Sequence, residues 1–145
     1  MELITAKNFQ EARNKIKSSK EKIVFYSSDD ELNRQVLEKE KISVLLISQS
    51  GRKDFQKQRN SGFNQVLAKI AKKNNVVIGI DFDEIVNSKE KVCAEILARI
   101  KQNIKLCNKS KLKMCFVSFN HKRNSYDLKS LGLVLGMPTW MFWEF

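Results

Sequence analysis

Between Ser50 and Asn64 the sequence sets Arg52, Lys53, Lys57 and Arg59 against a single acid, Asp54. The block follows an apolar run at residues 42–48 and precedes a stretch of helical period at 62–74. Ser61 is a natural N-cap for that helix. A helix start offers free N–H groups and a partial positive charge, so cations hung just ahead of it suit a phosphate group. A solvated basic loop with an ordinary cap would look the same in sequence.

Two further features could do similar work. In the stretch 89–108, Val92, Ile96, Ile100 and Ile104 mark an apolar stripe. At 3.6 residues per turn, Arg99 and Asn103 fall on its edge, beside Ile96. They either reach the rim of the fold or snorkel at a core boundary. Lys122 and Arg123 lie in the loop Asn120-His-Lys-Arg-Asn124, with Lys129 following. That loop is otherwise a plain exposed turn.

A chemical rival is the run Val76-Val-Ile-Gly-Ile-Asp81-Phe-Asp83. An apolar strand ending in Asp-x-Asp serves dehalogenase-like phosphotransfer enzymes as nucleophile and general acid beside Mg²⁺. Here Glu84-Ile85 replaces the small residues such sites carry next, and little chain remains to complete one. Acids closing a strand, one of them capping the next turn, are the simpler account. Asp29-Asp30 similarly suggests a response-regulator pocket, but no phospho-acceptor Asp or late Lys falls at a matching strand end. Both acids read as an N-cap and first-turn acid. With one histidine, His121, and Cys93, Cys107 and Cys115 lacking a Cys-x-x-Cys spacing, the sequence offers neither a zinc cluster nor a disulfide framework. The cysteine usage fits a reducing cytoplasm. No catalytic residues and no metal site are assigned.

The elements that must hold these residues alternate. Strands are expected at 2–5, 22–27, 42–48, 76–82, 113–119 and, weakly, 139–145. Helices are expected at 8–18, 29–39, 62–74, 89–108 and 127–135. The strands are short and rich in Val and Ile, as strands covered on both faces should be. Strand–helix alternation over 145 residues without a linker implies one α/β domain, 1–145, with mainly parallel strands. Ligand sites in such sheets gather at the strands' carboxyl ends, which points to the loops 27–30, 48–61, 81–87 and 119–125. A full eight-unit barrel needs about 250 residues, so an open sheet or an incomplete barrel is expected.

Charge favours a polyanionic partner. Residues 1–50 carry 9 Lys/Arg and 8 Asp/Glu, whereas residues 51–145 carry 18 and 8. A solubility coat has no reason to be so lopsided, and nucleic acid ranks ahead of a membrane surface. The longest apolar runs are too short to span a bilayer, and no signal peptide is visible.

The run Arg-Lys-Asp-Phe-Gln-Lys-Gln-Arg-Asn-Ser-Gly-Phe-Asn-Gln-Val-Leu-Ala-Lys-Ile-Ala at 52–71 resembles the signature of the archaeal ribonuclease P protein component 3 family. Arg99-Ile-Lys-Gln-Asn-Ile-Lys-Leu-Cys107 is similar to its long helix. Phe116-Val-Ser118 and Tyr126-Asp-Leu-Lys129 are similar to its next strand and helix start, and Leu131-Gly-Leu-Val-Leu-Gly-Met137 to its penultimate helix. The resemblance implies a TIM-barrel-like fold built of (βα) units, here shortened or incomplete. It also implies an RNA-binding protein subunit of ribonuclease P, an endonuclease that removes 5′ leaders from precursor tRNA. The RNA would be the catalyst, with Mg²⁺ serving it and no cofactor in this chain. The implied partners are ribonuclease P RNA, protein component 2, the other ribonuclease P proteins and precursor tRNA.

On this reading Arg52, Lys53, Arg59, Ser61, Asn64, Arg99, Asn103, Lys122 and Arg123 are the RNA-binding residues. The cations would contact phosphates, and Ser61 and Asn64 would shape the helix start. Family members usually open with a further strand–helix–strand portion. The aromatic tail 140–145 is then a candidate cover for an open sheet edge. The isolated chain is expected to self-associate or to be poorly soluble, and protein component 2 to relieve this.

Overall fold

The computed structural model describes residues 1–144. Five parallel strands run in sequential order: β1 (Glu2–Thr5), β2 (Ile23–Tyr26), β3 (Val44–Ile47), β4 (Val77–Asp81) and β5 (Met114–Val117). Helices α1 (Phe9–Ser18), α2 (Asp30–Lys39) and α3 (Gln65–Lys73) join the first four strands. The short α4 (Phe82–Asn87) and the long α5 (Glu90–Lys109) join β4 to β5, and α6 (Ser125–Val134) comes after β5. Sequential parallel order means every crossover returns on the same side, because such crossovers are right-handed.

The two sheet faces therefore differ. Phe25, Leu45, Ile78 and Met114 pack against the apolar stripes of the helices, including Ala12, Val36, Ala68 and Ile100. The opposite face carries Val24, Val44, Leu46, Cys115 and Val117, with Tyr26, Val77 and Trp143 against them. That second face curls on itself. A Cβ at Gly79 would stand 2.9 Å from Val44 Cγ1 and 3.3 Å from Val117 Cγ2, side chains of the two flanking strands. Helices on the outside and a tight inner face are the geometry of part of a (βα) barrel. Burial pushes the thiols of Cys107 and Cys115 up to about 12, so both pack as apolar groups.

Local signals set the helix starts. Asn8, Asp29, Asn64, Asp81 and Asn124 each accept a first-turn N–H, at 2.8 Å for Asn8 and 2.9 Å for Asn64. The cap of α3 is thus Asn64 rather than Ser61. Ser61 is buried, and its hydroxyl turns to the Phe63 carbonyl at 3.3 Å. The stripe on α5 begins at Ile96; Val92 is 50% exposed. Helix α4 forms where sequence suggested a loop.

The expected weak strand at 139–145 reduces to a single parallel bridge, Met114 to Phe142. Phe145 lies outside the described residues. Met114 N–H donates to Met141 at 3.0 Å, and Trp143 N–H donates to Met114 at 2.7 Å. The tail therefore covers the β5 edge, and Trp143 lies against the inner face with Lys22 Nζ 5.6 Å from its ring centre. Among the described residues, no helix is long and apolar enough to cross a membrane.

Candidate nucleic-acid interface

The β3–α3 loop leaves the carboxyl end of β3 and returns to α3 through Asn64. Two arginines build it from within. Arg52 forks onto Asp30 with both contacts at 2.8 Å, and its Nε donates to the Ser48 carbonyl at 2.7 Å. Its guanidinium packs against Gly62, where a Cβ would collide with Nη2 and Cζ. Gly62 also has φ +71°, so the loop needs glycine there twice over.

Arg99 reaches across from α5. It donates to Asp54 at 3.0 Å, to the Gln49 carbonyl at 3.1 Å and to the Arg52 carbonyl at 2.9 Å. A planar fork serving three acceptors is a task for Arg and not for Lys. Asp54 in turn accepts the Asn60 N–H at 3.0 Å and faces Arg59 at 3.7 Å. The Arg99 guanidinium, with the Asn60 N–H, holds the Asp54 carboxyl below the usual carboxylate range.

Ser61 is the third anchor. Its carbonyl accepts from Gln49 Nε2 at 2.8 Å and from Asn103 Nδ2 at 3.3 Å. Gln102 donates to Ser61 Oγ at 3.2 Å and to the Arg59 carbonyl at 3.1 Å. The edge position of Arg99 and Asn103, foreseen from helical period, therefore resolves into burial and loop fastening.

The nine residues singled out in sequence divide by this geometry. Arg52, Ser61, Arg99 and Asn103 are turned inward and fix the loop. Lys53, Arg59 and Asn64 are exposed on it, and Lys122 and Arg123 are exposed on the β5–α6 loop. Sequence reasoning missed Gln49 and Gln102 as anchors, and Asp54 as the point that joins Arg99 to Arg59. Gln102 lies beside Asn103 in chain and one turn from Arg99. That proximity was the available signal.

The β5–α6 loop is held by Asp83. Its carboxylate accepts from Ser118 Oγ at 2.9 Å and from the N–H groups of Phe119, Asn120 and His121 at 2.8, 3.0 and 2.9 Å. Burial alone would raise its pKa, but these donors outweigh it and hold the group below its ordinary value. Asp81 caps α4 and is pushed up by burial and then by Asp83. Glu84 is also raised, by burial first, while it accepts from Gln49 N–H and Ser48 Oγ at 3.0 Å each.

These contacts decide against the Asp-x-Asp enzyme. Asp83 spends its lone pairs on a loop, and Asp81 spends one oxygen on a cap. The concavity of about 620 Å³ beside them sets three acids, Asp81, Asp83 and Glu84, against one cation, Lys89, a net negative wall that disfavours a phosphoryl group. Among the described residues, no group of three or more His, Cys, Asp and Glu side chains is arranged to hold a metal ion.

No family model matches the chain. Its sequence is similar to ribonuclease P protein component 3 of Methanosarcina mazei, 30% identical over 116 residues, or 80% of this chain and 45% of that protein. The Methanothermobacter thermautotrophicus protein of the same name is 26% identical over 124 residues, covering 86% of this chain and 47% of the relative. The chain thus spans just under half the length of these curated relatives. Its fold matches a chain in a cryo-EM structure of archaeal ribonuclease P with mature tRNA. The TM-score is 0.80 at 24% identity, covering 96% of this chain and 61% of that one.

Proposed function

We propose that this chain, a relative of archaeal ribonuclease P protein component 3, is an RNA-binding protein subunit of ribonuclease P. The observation that carries the reading is the sequence likeness to the Methanosarcina mazei protein over 80% of the chain. The geometry supports it. Lys53 and Arg59 stand outward on a loop braced by buried Arg99 and by partly buried Arg52. Lys122 and Arg123 stand on a second loop braced by Asp83. Cations on braced loops suit the sequence-independent grip on phosphates that positions a folded RNA.

On this reading the RNA performs the cleavage of the 5′ leader, Mg²⁺ serves the RNA, and this chain supports the RNA without a cofactor of its own. Protein component 2, the other ribonuclease P proteins and precursor tRNA complete the set of partners, in the cytoplasm. The test is recovery of the tagged chain from its own cells and sequencing of the RNA that comes with it. Enrichment of ribonuclease P RNA with precursor-tRNA cleavage activity is expected. Recovery without that RNA and without that activity would refute the reading.

A further inference from the structure

Phe55 is 58% exposed at the crest of the basic loop, between Lys53 and Lys57. An aromatic ring held out in water costs hydrophobic free energy unless something covers it. It borders a concavity of about 260 Å³ whose wall includes Arg59 and Gln102. Of the two acids in that wall, Asp30 is matched by the Arg52 fork, and Glu31 belongs to the α2 side.

A second concavity, of about 650 Å³, begins at the same Arg59 and Gln102 and runs along α5. Ala94, Leu97 and Ala98 floor it, and Lys101 and Lys105 line it with no acid among them. These positions recur at helical spacing on one face of α5. At 1.5 Å rise per residue, the path from Ala94 to Lys105 is about 16 Å long. Small residues admit a close approach, and the cations set the sign of what approaches.

An exposed ring beside a cationic track is the arrangement that binds single-stranded nucleic acid, with bases stacked and phosphates paired. We propose that Phe55 and the α5 groove form a binding site for unpaired RNA. A base stacks on Phe55, and the backbone passes Arg59 toward Lys101 and Lys105. The site rests on the RNA-binding reading above and adds to it a preference for unpaired segments. A protein segment would also cover Phe55, but the acid-free lining of the α5 groove favours a polyanion.

The test is fluorescence anisotropy of the full chain with an unstructured RNA of about ten nucleotides and with a duplex of the same length. Phe55→Leu should weaken single-strand binding about tenfold, leave duplex binding unchanged and leave the salt slope unchanged. Phe55→Trp should restore it. Lys101→Gln with Lys105→Gln should flatten the single-strand salt slope by about 1.4. Phe55→Leu binding like wild type, or losing both RNAs equally, overturns the stacking site while leaving RNA binding intact. Protection of Phe55 by added protein subunits and not by RNA overturns it in favour of a protein contact. A folded wild-type chain that binds neither RNA overturns the RNA-binding reading itself.

Discussion

Arg99 on α5 and Asp54 in the β3–α3 loop are 45 residues apart in sequence and meet at 3.0 Å, with the Arg99 side chain only 4% exposed. The same guanidinium holds two loop carbonyls. One buried side chain thus fixes the loop that presents Lys53, Phe55 and Arg59.

Replacing Arg99 should therefore be costly. Arg99→Met leaves the Gln49 and Arg52 carbonyls without their charged donor and should lower stability by about 3 kcal/mol. Arg99→Lys keeps the charge but cannot fork to three acceptors, so it should recover only a small part. Urea unfolding midpoints of the three proteins measure this directly. Equal midpoints for Arg99→Lys and wild type would show that charge alone suffices.

Asp54→Asn separates bracing from simple charge. Removing an acid from a basic surface should tighten RNA binding if Coulomb attraction alone matters. If Asp54 sets the position of Arg59 and the loop through Arg99 and Asn60, affinity should instead fall severalfold. RNA titrations at fixed salt decide by sign.

Asp81 at the end of β4 and Asp83 in α4 should bend the pH profile in opposite directions. Asp83 has a lowered folded pKa, so its stabilisation is present above the unfolded value of about 4 and is lost as pH falls through the folded value. Asp81 has a raised folded pKa, so its ionisation costs stability as pH rises from about 4 through its folded value. Asp81→Asn, with Asn still an able cap, should flatten the slope above pH 4 and leave holoenzyme turnover near wild type. Asp83→Asn should flatten the slope on the acid side and loosen the loop that carries Lys122 and Arg123. Urea midpoints from pH 3 to 6 and turnover measure both. A large loss of turnover in a stable Asp81→Asn protein would revive the phosphotransfer reading.

Trp143→Ala should uncover the inner sheet face and weaken the tail's hold on β5. A half-buried tryptophan lost from an apolar cluster costs about 2 kcal/mol. Light scattering at rising concentration should show the variant associating more readily than wild type, as an exposed sheet edge does. A variant that associates no more than wild type and is as stable would deny the tail its covering role.

Much of the fold was legible because the physics is local. Val- and Ile-rich runs and 3.6-residue stripes place β1 at Glu2–Thr5 and α2 at Asp30–Lys39 almost residue for residue. Misses came where tertiary contacts override local preference. Ser61 looked like a cap, yet two amides from α5 and the β3 end draw it into the interior and leave Asn64 to cap. Val92 fits the α5 stripe by period but stays half exposed, lining the concavity beside Asp81 and Asp83. In the site, residue type alone could not tell a cation that faces water from one that braces a loop. Arg52 and Arg59 read alike in sequence, and tertiary partners separate them: Asp30, Gly62 and the Ser48 carbonyl draw Arg52 inward.

Reconstitution tests the central claim most directly. Precursor-tRNA cleavage should be measured with the cognate ribonuclease P RNA and its other proteins, with and without this chain. Faster leader removal on adding the chain, and no cleavage by the chain without the RNA, is the predicted result. Unchanged cleavage when the chain is omitted, or leader removal by the purified chain alone, would contradict it.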